Sequence, residues 1–326
     1  MYPDSERIRI PDSLGISVLL YSVAPSCRLL RCVCASAPSK KSFPSHAPPT
    51  RITTEKNRPQ RGCGNLRGND VIADYLKRKI RSVVNDPAIA ERLTPKTYPY
   101  GTKRQPLDTN YFETFNKMNV VLVDATADGP IEEITPNGIR AGGREYPLDI
   151  IVIATGFDAL TGSLKKLGIK GRGGRALAQE WEDGPQTYLG LAIAGYPNLF
   201  TITGPQSPSV LSNMPVSIEQ HVEWITECIG HMRRNKLTTV EATAQAQNAW
   251  DAHVAEVVNS SLMPGTNSWY MGANIAGKVR RFLPYLGPEG VAGYRTKCTE
   301  VAESGYEGFV FASQGQGGTV HPIAAE

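Results

Sequence analysis

No apolar run in this 326-residue chain reaches the roughly 18 residues that a membrane-spanning helix needs; the longest candidate, ISVLLYSV at 16–23, is far too short. The chain is equally poor in metal-ligand spacing. Of its six cysteines, Cys27, Cys32, Cys34 and Cys63 crowd one end, and the CVC stretch has neither a second CxxC nor a histidine pair to complete a zinc set. Cys228 and Cys298 stand alone, which excludes a disulfide framework and fits a reducing compartment, the cytoplasm by default. There are five histidines. His221, His231 and His253 fall on helical stretches without ligating company, so no metal is expected. Charge of one sign is also lacking: a net charge of +4 is too small to argue for nucleic acid.

What is present divides unevenly. Residues 1–63 carry ten Lys/Arg against four Asp/Glu, eight of the 24 prolines and four of the six cysteines. This contrast predicts a disordered or unrelated leader over residues 1–68, to be followed by ordered chain. Asp4, Glu6 and Asp12 argue against a transit peptide. Residues 314–326 are expected to form a flexible tail.

From Val71 to Val84 an apolar stripe (Val71, Ile72, Tyr75, Leu76, Ile80, Val83, Val84) predicts an amphipathic helix with Lys77, Arg78, Lys79 and Arg81 off the stripe. NDPAIAERL predicts a second helix, capped by Asn85 or Asp86 with Pro87 in its first turn. A Pro- and Gly-broken loop, TPKTYPYGTKRQPLD, follows. NVVLVD reads as a strand; IEEI, PNG, GIR and REYPLDIIVIA read as short strands or a hairpin. TYLGLAIAGYPNLFTITG predicts two more strands. VSIEQHVEWITECIGHMRRN and TAQAQNAWDAHVAEVVNSS predict helices, and RTKCTEVAESG a last one ended by Gly305. Strands mixed with helices indicate an α/β protein.

One stretch poses a sharper question. DIIVIATGFD begins as a buried strand and ends in Ala154, Thr155 and Gly156 before the acid Asp158. Small residues at the end of a buried parallel strand allow close approach of a ligand or another segment. An ordinary strand and turn would give the same local pattern, with Asp158 ordering the turn.

Three further stretches decide between these. YPYGTKRQPLDTNYFETFN, ATGFDALTG, DGPQTYLGLAIAGYPNLFTITGPQSPSVLSNMPVSIEQHVEW and SWYMGAN occur in this order. Together they resemble the Baeyer–Villiger monooxygenases of the cyclohexanone and phenylacetone type, from about Asn69 to Ala312, three-quarters of the chain. The resemblance implies FAD and NADP(H) as cofactors and the oxidation of a ketone to an ester or lactone with dioxygen, with a place in secondary metabolism. It implies an incomplete flavoprotein of two dinucleotide-binding domains. Residues 69–153 would be a remnant of the NADP-binding domain. Residues 154–313 would be the C-terminal part of the FAD domain with a helical region and an NADP-closing loop.

By the same resemblance Arg104 is the catalytic arginine, a permanently charged guanidinium able to stabilise developing negative oxygen. Lys103 matches a position that pairs with the NADP 2′-phosphate. Thr155 and Gly156 belong to the crossover beside the cofactor. Gly204, Pro205, Ser209 and Met214 belong to the segment beside the flavin ring, and the helix starting near Met214 would point its positive end at reduced flavin. Trp269, Tyr270 and Asn274 match a loop that closes over NADP.

The departures are as informative. The family's FAD fingerprint, its second GxGxxG and the phenylalanine–histidine–tryptophan signature between them have no counterpart here. GCGNLRG (62–68) and GRGGR (171–175) lack the spacing or the preceding strand. The chain therefore resembles the C-terminal half of the enzyme behind unrelated residues, truncated of its phosphate cradles. Two readings follow: a flavin monooxygenase, and a non-catalytic remnant or complementing module whose exposed sheet edges lead to self-association.

Overall fold

A computed structural model describes residues 17–21 and 66–313, apart from 107, 126, 155, 274 and 288. The expected tail, most of the expected leader, and the predicted site residues Thr155 and Asn274 lie outside the described residues. In chain order the elements are β1 (Ser17–Tyr21), α1 (Leu66–Val83), α2 (Pro87–Leu93), α3 (Tyr111–Thr114), β2 (Val120–Asp124), β3 (Ile131–Thr135), β4 (Gly138–Ala141), β5 (Arg144–Pro147), α4 (Gly162–Lys166), α5 (Leu177–Glu180), α6 (Met214–Arg234), β6 (Leu237–Ala242), α7 (Ala244–Asn259), α8 (Gly290–Glu303) and β7 (Phe309–Ser313). Every paired strand among the described residues is antiparallel.

These residues fall into two compact units. The first holds β1 and residues 110–153; the second holds 66–109 with 154–313. Residues 66–109 thus group with the C-terminal segment, whereas the sequence reading had placed 69–109 with 110–153.

In the first unit β1 runs antiparallel to β2, from Ser17 opposite Asp124 to Tyr21 opposite Val120. These five residues, an apolar and β-prone sequence, add an edge to β2. β3, β4 and β5 form a meander, and its Ile139 and Ala141 pack with Val123 of β2, gathering Ile131, Tyr146, Leu148 and Ile151 around them.

The predicted strand DIIVIA is absent. Residues 150–154 pair with no described strand, and Ile150, Val152 and Ile153 are 77%, 81% and 73% exposed. Strand propensity is a preference for a half-buried pleated surface, and without a neighbouring strand the same residues stay extended and solvated.

The second unit is organised by α6. Its buried residues, Ser217, Gln220, His221, Trp224, Cys228 and Met232, recur at the helical period. They meet Trp250, Val254 and Val258 of α7, Tyr294, Cys298 and Val301 of α8, and the antiparallel β6–β7 pair, whose Val240, Phe309 and Phe311 point inward. Asp86 caps α2 by accepting from Ala88 N and Ile89 N, as the sequence pattern anticipates, and Thr243 caps α7 by accepting from Ala246 N.

α1 departs from expectation. Ile80 and Val84 are buried, but Val71 and Tyr75 at the other end of the predicted stripe are exposed. What holds that end is polar: Asn69 donates to Tyr100 O (2.8 Å) and accepts from Tyr100 N (3.0 Å).

TYLGLAIAGYPNLFTITG forms isolated bridges, Tyr188 to Ala192 and Ala192 to Phe200, in place of two strands. Gly190 and Gly195 at φ +71 and +86 reverse the chain before a ladder can extend.

Trp224 also carries a specific polar contact, its indole N–H donating to Cys298 O at 2.9 Å in the core. Trp224→Phe is expected to cost about 1 kcal/mol, the net worth of one buried hydrogen bond, because the Cys298 carbonyl lies within α8 and keeps its helical donor. Urea unfolding of the full chain would measure it, and an unchanged midpoint would show that the bond contributes nothing.

Candidate functional site

The loop that bears Lys103 and Arg104 starts from the Asn69–Tyr100 clasp. Thr102 tightens the next turn, its hydroxyl donating to Pro99 O at 2.7 Å. Arg104 then reaches across the second unit, and its Nη1 donates to Val210 O. No described carboxylate pairs with it; the exposed guanidinium rests on a neutral acceptor and leaves its other donors to solvent. Lys103 lies 4.4 Å above the Tyr98 ring, and burial raises the Tyr98 phenol above its usual range.

Val210 belongs to the stretch predicted to face the flavin, so the structure brings two separated sequence motifs together. Within that stretch the predicted residues differ in kind. Gly204 and Pro205 are buried in the polypeptide. A Cβ on Gly204 would sit 2.4 Å from Thr201 Oγ1 and 2.6 Å from Gly190 O. The close approach that requires glycine there is to the chain itself.

Ser209 is fully buried, with φ +36, and its hydroxyl has no partner among the described residues. A left-handed non-glycine residue with an unsatisfied buried hydroxyl is strained twice over, and such residues concentrate at ligand sites. Met214, half-buried, opens α6. The cap residue Asn213 makes no side-chain bond to the first turn, leaving that helix end without a side-chain acceptor.

Gly156 has φ +83, and a Cβ there would touch nothing within 4 Å; glycine is demanded by the backbone, and the space beside it is open. Asp158 is structural, as expected, but its partner was not foreseen: Lys278 Nζ meets Asp158 Oδ1 at 2.5 Å. That lysine follows the SWYMGAN loop, so the pair ties two more motifs together.

In that loop Ser268 accepts from Tyr270 N at 3.1 Å and shapes a single turn over 269–271. Trp269 is half-buried, 4.4 Å from the Tyr270 ring, and its indole N–H has no described acceptor. Tyr270 is 1% exposed and faces the core beside Phe282. Tyr270 thus anchors the loop by packing into the core.

Sequence reasoning missed His221. Its Nδ1 accepts from Thr203 N at 2.8 Å, and its Nε2 lies 3.0 Å from Tyr294 Oη, which donates to Leu189 O at 2.6 Å. This network fixes the turn that enters the Ser209 segment. An isolated histidine on a helix gives no local signal of such partners.

No protein-family model matches the chain. Similarity to individual proteins is strong. The chain is 42% identical over 246 residues to an acetone monooxygenase (methyl acetate-forming) of Gordonia sp. strain TY-5, a match covering 75% of this chain and 46% of that protein. It is 42% identical over 243 residues to a Baeyer–Villiger monooxygenase of Pseudooceanicola batsensis, covering 74% and 43%. The solved structure of OTEMO in complex with FAD and NADP superposes with a TM-score of 0.72 at 40% identity, covering 77% of this chain and 46% of that one. The fold is that of flavoprotein monooxygenases. The chain belongs to the Baeyer–Villiger, cyclohexanone-type monooxygenase family and matches the C-terminal half of its members. It spans about half the length of the curated relatives it matches. No helix among the described residues is long and apolar enough to cross a membrane.

Burial lowers the His221 pKa from 6.5 to about 4. Its contribution to stability is therefore fully present above pH 6.5 and is lost as pH falls toward 4. About 3 kcal/mol should disappear over that window at the rate of one pKa unit per 1.36 kcal/mol. His221→Gln should flatten this part of the stability-versus-pH curve. Urea midpoints at neutral and acidic pH decide it; an equal acid loss in both proteins would assign the effect to other groups.

Proposed function

We propose that this chain supplies the C-terminal part of an FAD- and NADPH-dependent Baeyer–Villiger monooxygenase site, which inserts one atom of dioxygen beside a ketone carbonyl to give an ester or lactone. The second oxygen atom leaves as water, and NADPH provides the two electrons. The observation that carries this reading is the contact of Arg104 with Val210 O: an unpaired guanidinium is held against the segment that the family places beside its flavin.

The described residues fit the ring side of such a cofactor. Ser209 offers an unsatisfied hydroxyl, Gly156 leaves open space, and the uncapped end of α6 offers backbone N–H groups and a positive dipole end to an electron-rich ring. The glycine turns that would cradle phosphates are not among them: Gly68 lies inside α1, and Gly171–Arg175 forms a 3₁₀ turn with no strand before it. FAD supplies the reactivity toward dioxygen when bound. The chain's own contribution is to place charge, order the loops and exclude water. Arg104 stabilises developing negative oxygen. Lys103 is available to the anionic end of NADP, and half-buried Trp269 covers the site from the 268–274 loop.

A complementing role without independent catalysis is favoured by a different observation, the exposed run of Ile150, Val152 and Ile153. Unpaired apolar backbone invites association. In sedimentation velocity the full chain is expected to self-associate, and Ile150→Ser with Val152→Ser and Ile153→Ser to raise the monomer fraction. An unaltered distribution would remove this surface from consideration.

The catalytic reading is tested by joining the chain to the N-terminal half of the Gordonia acetone monooxygenase and confirming FAD by its absorbance. Arg104→Ala and Arg104→Lys are then compared with the parent for ester formed per NADPH consumed. Loss of one preorganised charge contact costs about 100- to 1,000-fold, and lysine lacks the planar fork. Flavin should stay bound while ester yield collapses and hydrogen peroxide is released. A parental ratio and rate in Arg104→Ala would defeat the assignment.

A further inference from the structure

Three loops without regular structure converge on one carboxylate. Asp251, on α7, accepts from Gln206 Nε2 at 2.5 Å and from Gln186 Nε2 at 3.1 Å. Its Oδ2 also pairs with Arg281 Nη2, and Arg281 Nη1 donates to Asp183 O at 3.3 Å. The Asp251 and Arg281 side chains are only 17% and 27% exposed. Such a pair is weakly screened, and loss of one partner leaves the other charge poorly solvated.

The positions of the partners give the cluster its meaning. Gln206 opens the turn that leads to Ser209 and to Val210, the acceptor of Arg104. Arg281 lies in the strap that returns from the Trp269 loop: its backbone N donates to Met271 O at 3.2 Å, and Leu283 N donates to Tyr270 O at 2.8 Å. Three residues earlier in the strap, Lys278 holds Asp158. A displacement of the 268–283 segment therefore pulls on Asp251, and Asp251 in turn pulls on Gln206.

We infer that Asp251 is a positioning residue that couples the 268–283 loop to the 204–211 loop, so that the cover carrying Trp269 and the segment contacting Arg104 adopt their working geometry together. This role in catalysis rests on the monooxygenase reading; the mechanical coupling does not.

A second route between the loops exists. Gln206 N donates to Leu283 O at 2.6 Å, and Tyr285 N donates to Ser207 O at 2.7 Å. The two routes make different predictions for hydrogen exchange of the full chain, read by mass spectrometry without any cofactor. If Asp251 couples the loops, Arg281→Ala speeds exchange in residues 205–211 roughly tenfold or more, as expected for loss of a charged hydrogen bond. Gln206→Ala does the same for 279–283. In an Asp251→Asn background neither change adds to the other loop.

Arg281→Lys, which keeps a cation beside the carboxylate, retains near-parental protection of 205–211. If Asp251→Asn fails to fold, the contrast between Arg281→Lys and Arg281→Ala still decides. The inference is overturned if Arg281→Ala leaves 205–211 unchanged, if it acts equally with Asn at 251, or if lysine behaves as alanine. Because no flavin enters the experiment, its failure is separate from a failure of the Arg104 test.

Discussion

Buried backbone outside any ladder must still satisfy its N–H and C=O groups, and in the loops around the candidate site that requirement falls largely on Gln206. It is 1% exposed and sits at φ +65. Its N–H reaches Leu283 O, its carbonyl accepts from the Trp250 indole at 3.1 Å, and its Oε1 accepts from Thr187 N at 2.8 Å. A left-handed glutamine costs conformational energy, and these bonds to three separate segments hold it there. Thr187 extends the network by donating to Pro205 O at 2.9 Å and accepting from Gly190 N at 3.1 Å. The Ser209–Val210 turn begins only three residues beyond Gln206, so its geometry is inherited from buried polar contacts.

The apolar core imposes a complementary constraint. Trp250 packs near Tyr285 and Tyr294, with ring centroids 4.9 and 6.3 Å away, while its N–H serves Gln206. Trp224 packs on Tyr306 and Phe309 and serves Cys298 in the same way. Each indole thus joins hydrophobic burial to one obligatory hydrogen bond, which is how an aromatic side chain fixes orientation as well as volume. Burial raises the Cys228 and Cys298 thiols to about 12 and about 11, so both behave as neutral packing groups.

Helices were legible in the sequence because their signals are local. The spacing of His221, Trp224, Cys228 and Met232, and the caps at Asp86 and Thr243, are contained within a few turns. Strands were less so. DIIVIA looks like a strand by composition, yet pairing depends on a neighbour that composition does not encode. β6 and β7 were missed for the converse reason: LTTVEA and FVFAS are short, lie between stronger helical patterns, and become a sheet only across the roughly 70 residues that separate them.

The site was legible where motif order pointed to it and opaque where polar partners are distant. Asn69 with Tyr100, Gln206 with Asp251, and Asp158 with Lys278 are separated by 31, 45 and 120 residues, and no periodicity marks such pairs. Their chemistry also separates Arg104 from the carboxylate-bound cations, although Arg280 likewise ends on neutral acceptors, Asn267 Oδ1 and Thr266 O. Arg172, Lys278 and Arg281 each end on a carboxylate, of Glu241, Asp158 and Asp251, so their charges are spent on holding loops. Arg104 crosses to its loop as well, but ends on the carbonyl of Val210. A carbonyl dipole orients a guanidinium without neutralising it. A side chain with five N–H donors that gives one to such an acceptor keeps both its remaining donors and its full charge. The side chain is exposed, so water solvates those donors until an anion takes its place. What distinguishes this arginine from Arg172, Lys278 and Arg281 is that its guanidinium remains free to meet an anion beside Val210.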